Sequence, residues 1–158
     1  MANIWKSNRW KKNLDINNIH RRKGLRFRFQ KGVDNEVRRA CLEFGDWLRN
    51  EFSFPVRVPI YMKASPKIKA LDGEHVFAIF FEPFDKKEEP YIKVATGTYK
   101  ESMLKNGKDN ALAGILGSIA HELTHYYQWI NDLKTSERQA IYYSSKILYE
   151  YSLTRAHP

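Results

Sequence analysis

At 158 residues the chain is the size of one domain, long enough to bury a single core and too short for two. Its one cysteine, Cys41, excludes an intramolecular disulfide and any cysteine-rich zinc ribbon, which suits a reducing compartment. The net charge of +9 is concentrated: residues 1–32 hold ten Lys or Arg against Asp15 alone, whereas the remainder holds seventeen of each sign, so the basicity belongs to an N-terminal arm.

That arm opens on MANIWKSNRWKKNL, which lacks the apolar segment of a signal peptide. The longest apolar run, VFAIFF at 76–81, is far too short to cross a bilayer. A soluble, cytoplasmic protein with no membrane contact is expected. Trp5 and Trp10 stand among Lys and Asn, and GLRFRFQKG then alternates Leu25, Phe27 and Phe29 with Arg26, Arg28 and Gln30, the period of a half-buried strand at 25–30. The chain therefore divides into a basic arm, 1–32, and a domain, 33–158. Cations interleaved with aromatic rings suit phosphate backbones and bases, so the arm is a candidate for binding nucleic acid or an acidic partner. A solubilising tail followed by an ordinary edge strand is the competing reading.

Beyond the arm, Asp34 is placed to cap a helix. Val37, Ala40, Cys41, Phe44, Trp47, Leu48 and Phe52 follow at helical spacing, predicting an amphipathic helix over 34–52. Three strands are predicted next: VRVPIYM at 56–62, HVFAIFF at 75–81 and YIKVATG at 91–97, separated by the turn-rich LDGE and EPFDKKEEP. Pro59 cannot donate to a ladder, so the first strand is expected at an edge or a bulge. Helical spacing then returns over 109–131 and 136–153, joined by the short NDLKTS turn.

The first of these two helices contains HELTHYYQW, 121–129. At about 100° per residue, His121 and His125 project about 40° apart, one turn above the other. Leu112, Ile115, Leu116, Ile119, Leu123, Tyr126 and Ile130 cluster on the opposite side, and Gly114, Gly117 and Ser118 lie above the histidines. Those small residues suit either open space over a metal or a close-packed neighbour. Two neutral imidazoles so placed can hold one Zn²⁺, with Glu122 beside the first as a base for a metal-activated water. An ordinary pair of surface histidines has the same spelling. On the following helix, Glu137 falls within the stripe formed by Ala140, Ile141, Ser144, Ile147, Leu148 and Tyr151, which aims a carboxylate at the core. Buried there, it needs a cation, a hydrogen-bond network or a proton. A zinc on the two histidines would be that cation.

His121-Glu122-x-x-His125 followed after a turn by Glu137-x-x-Ala140 resembles the gluzincin metallopeptidases, most closely their minimal single-domain members, the minigluzincins. The ImmA/IrrE-like peptidases share similar spelling. The resemblance covers about residues 112–150 and implies an α+β, zincin-like domain: an N-terminal helix, a small mainly antiparallel sheet, the HExxH helix and a glutamate-bearing helix. It implies a zinc endopeptidase with His121, His125 and Glu137 as ligands, water in the fourth place and Glu122 as general base. Such enzymes supply a Tyr or His to the developing oxyanion, and Tyr142, Tyr143, Tyr149 and His157 are the candidates. Val94, Ala95, Thr96 and Gly97, just before the zinc helix, are expected to form the edge that pairs with an extended peptide. The alternatives are a basic nucleic-acid- or partner-binding module with a structural or vestigial metal site, and a non-catalytic toxin, immunity or regulatory protein.

Overall fold

A computed structural model describes residues 22–85 and 87–158. Expectations for Trp5, Trp10 and most of the basic arm fall outside the described residues. The elements in chain order are β1 (Leu25–Phe29), α1 (Asn35–Glu51), β2 (Val58–Lys63), β3 (Ile68–Lys69), β4 (His75–Val76), β5 (Ala78–Phe81), β6 (Tyr91–Ala95), α2 (Tyr99–Asn106), α3 (Lys108–Ile130) and α4 (Glu137–Ser152). The fold is α+β, with a small mixed sheet and a C-terminal helix pair.

The sheet runs β1-β2-β6-β5. β1 and β2 are parallel, with Leu25 opposite Val58 and Phe29 opposite Met62; β2 and β6 are also parallel, with Ile60 opposite Ile92. Only β5 is antiparallel, pairing Ala78 with Val94. The expectation of a mainly antiparallel sheet is therefore corrected, and the connections give the reason. The chain between β1 and β2 carries all of α1, and the chain between β2 and β6 carries β3, β4 and β5, long enough in each case to return the strand in the same direction. β1 is hydrogen-bonded into this sheet, so the folded unit takes in residues on both sides of position 32.

β2 is an interior strand despite Pro59, which corrects its placement at an edge. The Val58 N–H donates to the Gly24 carbonyl on the β1 side at 2.9 Å. The next amide position therefore faces β6, where pairing starts only at Ile60, so the missing N–H of Pro59 falls before the ladder. The predicted strand at 75–81 divides at Phe77, its first part pairing with β3 and its second with β6.

Alternation along the strands sends Leu25, Val58, Ile60, Met62, Ile92 and Val94 to one buried face. Helices cover that face. α1 is capped by Asp34, whose carboxylate accepts from the Glu36 N–H, and it buries Val37, Ala40, Cys41, Phe44 and Leu48. Gly45 permits close approach to the sheet: a Cβ there would lie 2.7 Å from the Phe27 ring. α3 buries Leu112, Leu116, Ile119, Leu123, Tyr126 and Ile130 in the same core. No helix among the described residues is long and apolar enough to cross a membrane.

Candidate metal centre

Because its apolar stripe is held in the core, α3 turns the opposite side toward an open cleft of about 470 Å³ between α3, α4 and the start of β5. His121 and His125 lie on that side, their side chains 25% and 10% exposed. α3 ends at Ile130, the chain reverses through Asp132 with φ of 54°, and α4 begins after Ser136. The Ser136 hydroxyl accepts from the Gln139 N–H at 3.2 Å, an N-cap that fixes where the helix starts. Glu137 is consequently the first residue of α4, alongside the histidine turn of α3.

Its carboxylate bridges both rings. Glu137 Oε2 is 2.9 Å from His121 Nε2, and Oε1 is 3.0 Å from His125 Nε2. Ligand atoms from the three residues lie within 4.8 Å of one another. Donors around a tetrahedral zinc are separated by about 3.3 Å, given bond lengths near 2.0–2.1 Å, so this set fits such an ion with small adjustments. Two imidazole nitrogens and one carboxylate oxygen also have the softness that zinc accepts. In one respect the expectation is corrected: Glu137 does not face the core, its side chain being 69% exposed. Ala140, Ser144, Ile147 and Tyr151 are the buried positions of α4, and Glu137 lies beyond them, where the helix pair opens to solvent.

Glu122 is buried, only 8% exposed, and lines the same cleft as His121. Removal from water pushes its carboxyl up to about 7, Glu137 adding to the effect and His125 opposing it. Above the histidines both readings of the glycines are realised. A Cβ at Gly114 would meet nothing within 4 Å, whereas one at Gly117 would lie 3.2 Å from Leu148 of α4.

None of Tyr142, Tyr143, Tyr149 and His157 lines the cleft. α4 presents Ser144, Ser145 and Leu148 to it, and helical rotation turns the three tyrosines about 100° or more from that direction. Tyr143 is buried in the core, and Tyr142 and Tyr149 are largely exposed. His157 Nδ1 is 2.8 Å from Asp109 Oδ2, a residue about 18 Å along α3 from His121.

The proposed substrate edge is also corrected. β6 lies between β2 and β5, so Val94 and Ala95 are paired on both sides. The Thr96 N–H and hydroxyl both donate to the Lys63 carbonyl, and the Gly97 N–H donates to Ser65. Of the two edge strands of this sheet among the described residues, β1 and β5, it is β5 that borders the cleft, where Ala78 and the preceding Phe77 form part of the wall.

One contributor was not singled out from sequence. Gln128, 1% exposed, lies three residues after His125, and its Oε1 is 2.8 Å from His125 Nδ1. A buried amide one turn from a ligand was the available signal. No protein family matches the chain, and no curated protein or solved structure matches it either.

Proposed function

We propose that the chain is a zinc-dependent metallopeptidase of gluzincin type, with His121, His125 and Glu137 as metal ligands and Glu122 as general base. The observation that supports this reading is the convergence of two imidazole Nε2 atoms on one carboxylate, at an open cleft that His121 lines together with the buried Glu122. Zinc, when bound, supplies Lewis acidity that acidifies a water and polarises a carbonyl. The remaining tasks fall to the protein. His121 and His125 hold the ion from one face of a helix whose other face is locked in the core, which keeps their separation fixed. Glu122 would take up a proton from the attacking water and deliver it to the leaving amine, a task for which its buried place on the cleft wall beside His121 suits it.

The cleft is open, and the edge of β5 beside it, unpaired among the described residues, offers backbone groups to an extended peptide. Substrate pairing therefore belongs to Ala78–Phe81 in this reading, with Gly114 leaving room for a substrate side chain above the ligands. Arg26 and Arg28, exposed on β1, extend the cationic surface of residues 1–32 and support the separate proposal of a nucleic-acid or acidic partner there.

The test is Glu122→Gln, which keeps shape and removes the base. The variant should hold Zn²⁺ as wild type does and lose cleavage in a peptide-library digest read by mass spectrometry. Equal cleavage by the two proteins would contradict the role of Glu122.

A further inference from the structure

We infer that Gln128 is a positioning residue that sets the tautomer of His125 and ties the second metal ligand to the third. The inference rests on the metal-centre reading above. It starts from two backbone groups that cannot be flipped. The Ser136 carbonyl only accepts and lies 3.1 Å from Gln128 Nε2, while the Ser136 N–H only donates and lies 3.4 Å from Gln128 Oε1. Both contacts fix the amide the same way round, with its nitrogen toward the carbonyl and its oxygen toward the N–H. Gln128 Nε2 donates a second time, to Gln139 Oε1 at 3.2 Å.

With the amide so oriented, Oε1 is an acceptor 2.8 Å from His125 Nδ1. Nδ1 must then carry the proton, and in a neutral ring the lone pair is left on Nε2, the atom that faces Glu137. That is the tautomer a metal on Nε2 requires. Gln128 also holds the start of α4, because Ser136 is its N-cap and Glu137 follows directly. One buried side chain thereby places a ring nitrogen and a carboxylate against each other. A buried amide with fewer partners would leave polar groups unpaired, so the arrangement is self-consistent only when complete.

Two measurements with Zn²⁺ as the probe test this. In ¹⁵N-labelled, Zn²⁺-loaded wild-type protein, long-range ¹H–¹⁵N correlation should show His125 ligated through Nε2 with a proton on Nδ1. Ligation through Nδ1, or an unprotonated Nδ1, would overturn the inference while leaving the metal centre intact. In a chelator competition, Gln128→Leu should weaken Zn²⁺ binding about 10–100-fold. Gln128→Glu, which still offers His125 an acceptor, should recover most of that loss. Wild-type affinity in Gln128→Leu, or no recovery in Gln128→Glu, would overturn it. Failure of the wild type to bind Zn²⁺ at all would overturn the metal-centre reading first, and this inference with it.

Discussion

Tyr126→Phe should be among the most damaging single-atom changes in the protein. The Tyr126 ring is fully buried on the core side of α3, and its hydroxyl both accepts from the Val56 N–H at 3.2 Å and donates to the Val56 carbonyl. Val56 is itself buried, 4% exposed, in the segment that leads into β2. Removing the oxygen leaves a donor and an acceptor without that partner and out of water. Each such group costs about 1–3 kcal/mol, offset in part by the relieved desolvation of the hydroxyl, so a loss of about 2–4 kcal/mol is expected. For a domain of this size that lowers Tm by roughly 4–16 °C. Tyr127→Phe is the internal comparison, since that hydroxyl donates to Ser53 O at 2.6 Å and should cost only about 1 kcal/mol. Urea and thermal melts followed by circular dichroism measure both. Zn²⁺ binding should be unchanged in each, because these hydroxyls lie on the side of α3 away from the histidines. A loss below about 1 kcal/mol for Tyr126→Phe, or a larger loss for Tyr127→Phe, would refute the reasoning.

Gly114→Ala should stabilise the fold by up to about 1 kcal/mol, since the new methyl meets nothing and helix propensity improves; Gly117→Ala should gain less, because its methyl would press on Leu148. Paired thermal melts distinguish them. Burial pushes the Cys41 thiol up to about 12, so it should resist a thiol reagent in native buffer and react once urea unfolds the chain. The folded state holds that proton more tightly than the unfolded one. Its contribution is therefore complete below about pH 8.5 and falls by at most about 1.4 kcal/mol per pH unit as pH rises toward 12, visible in alkaline urea melts. Deleting residues 1–19 should leave a folded protein, whereas deleting 1–31 removes β1 with its buried Leu25 and should unfold it. Titrating the shorter deletion and wild type with DNA at two salt concentrations tests the arm: weaker, salt-sensitive binding is expected for the deletion, and unchanged binding would mean the arm is only a tail.

Periodicity made the helices legible. The stripe from Val37 to Phe52 gave α1 to within a residue at each end, and the HExxH helix and α4 followed from the same arithmetic. α2 was missed: it is eight residues long with little amphipathic contrast, and Gly107, at φ 89°, separates it from α3. Strand pairing was less legible, because direction depends on the route between strands, which side-chain pattern does not record. Thus Pro59 suggested an edge, although its missing donor fell just outside the β6 ladder. The apolar run at 75–81 hid a break at Phe77, whose ring is 54% exposed. At the site, His121, His125 and Glu137 could be read from spacing and resemblance. The exposure of Glu137 could not, since helical rotation gives a direction and not the distance to the core. The four candidate oxyanion helpers do not line the cleft for a related reason: being near the motif in sequence does not turn a side chain toward it.

In the proposed centre His121, His125 and Glu137 hold one metal ion. Protein equilibrated with Zn²⁺, freed of excess by dialysis and analysed for metal by mass spectrometry, tests it alongside His121→Ala, His125→Ala and Glu137→Ala. One zinc per chain is expected in the wild type, with loss of retained zinc in each variant. A wild type that retains none, or variants that keep the full amount, would contradict it.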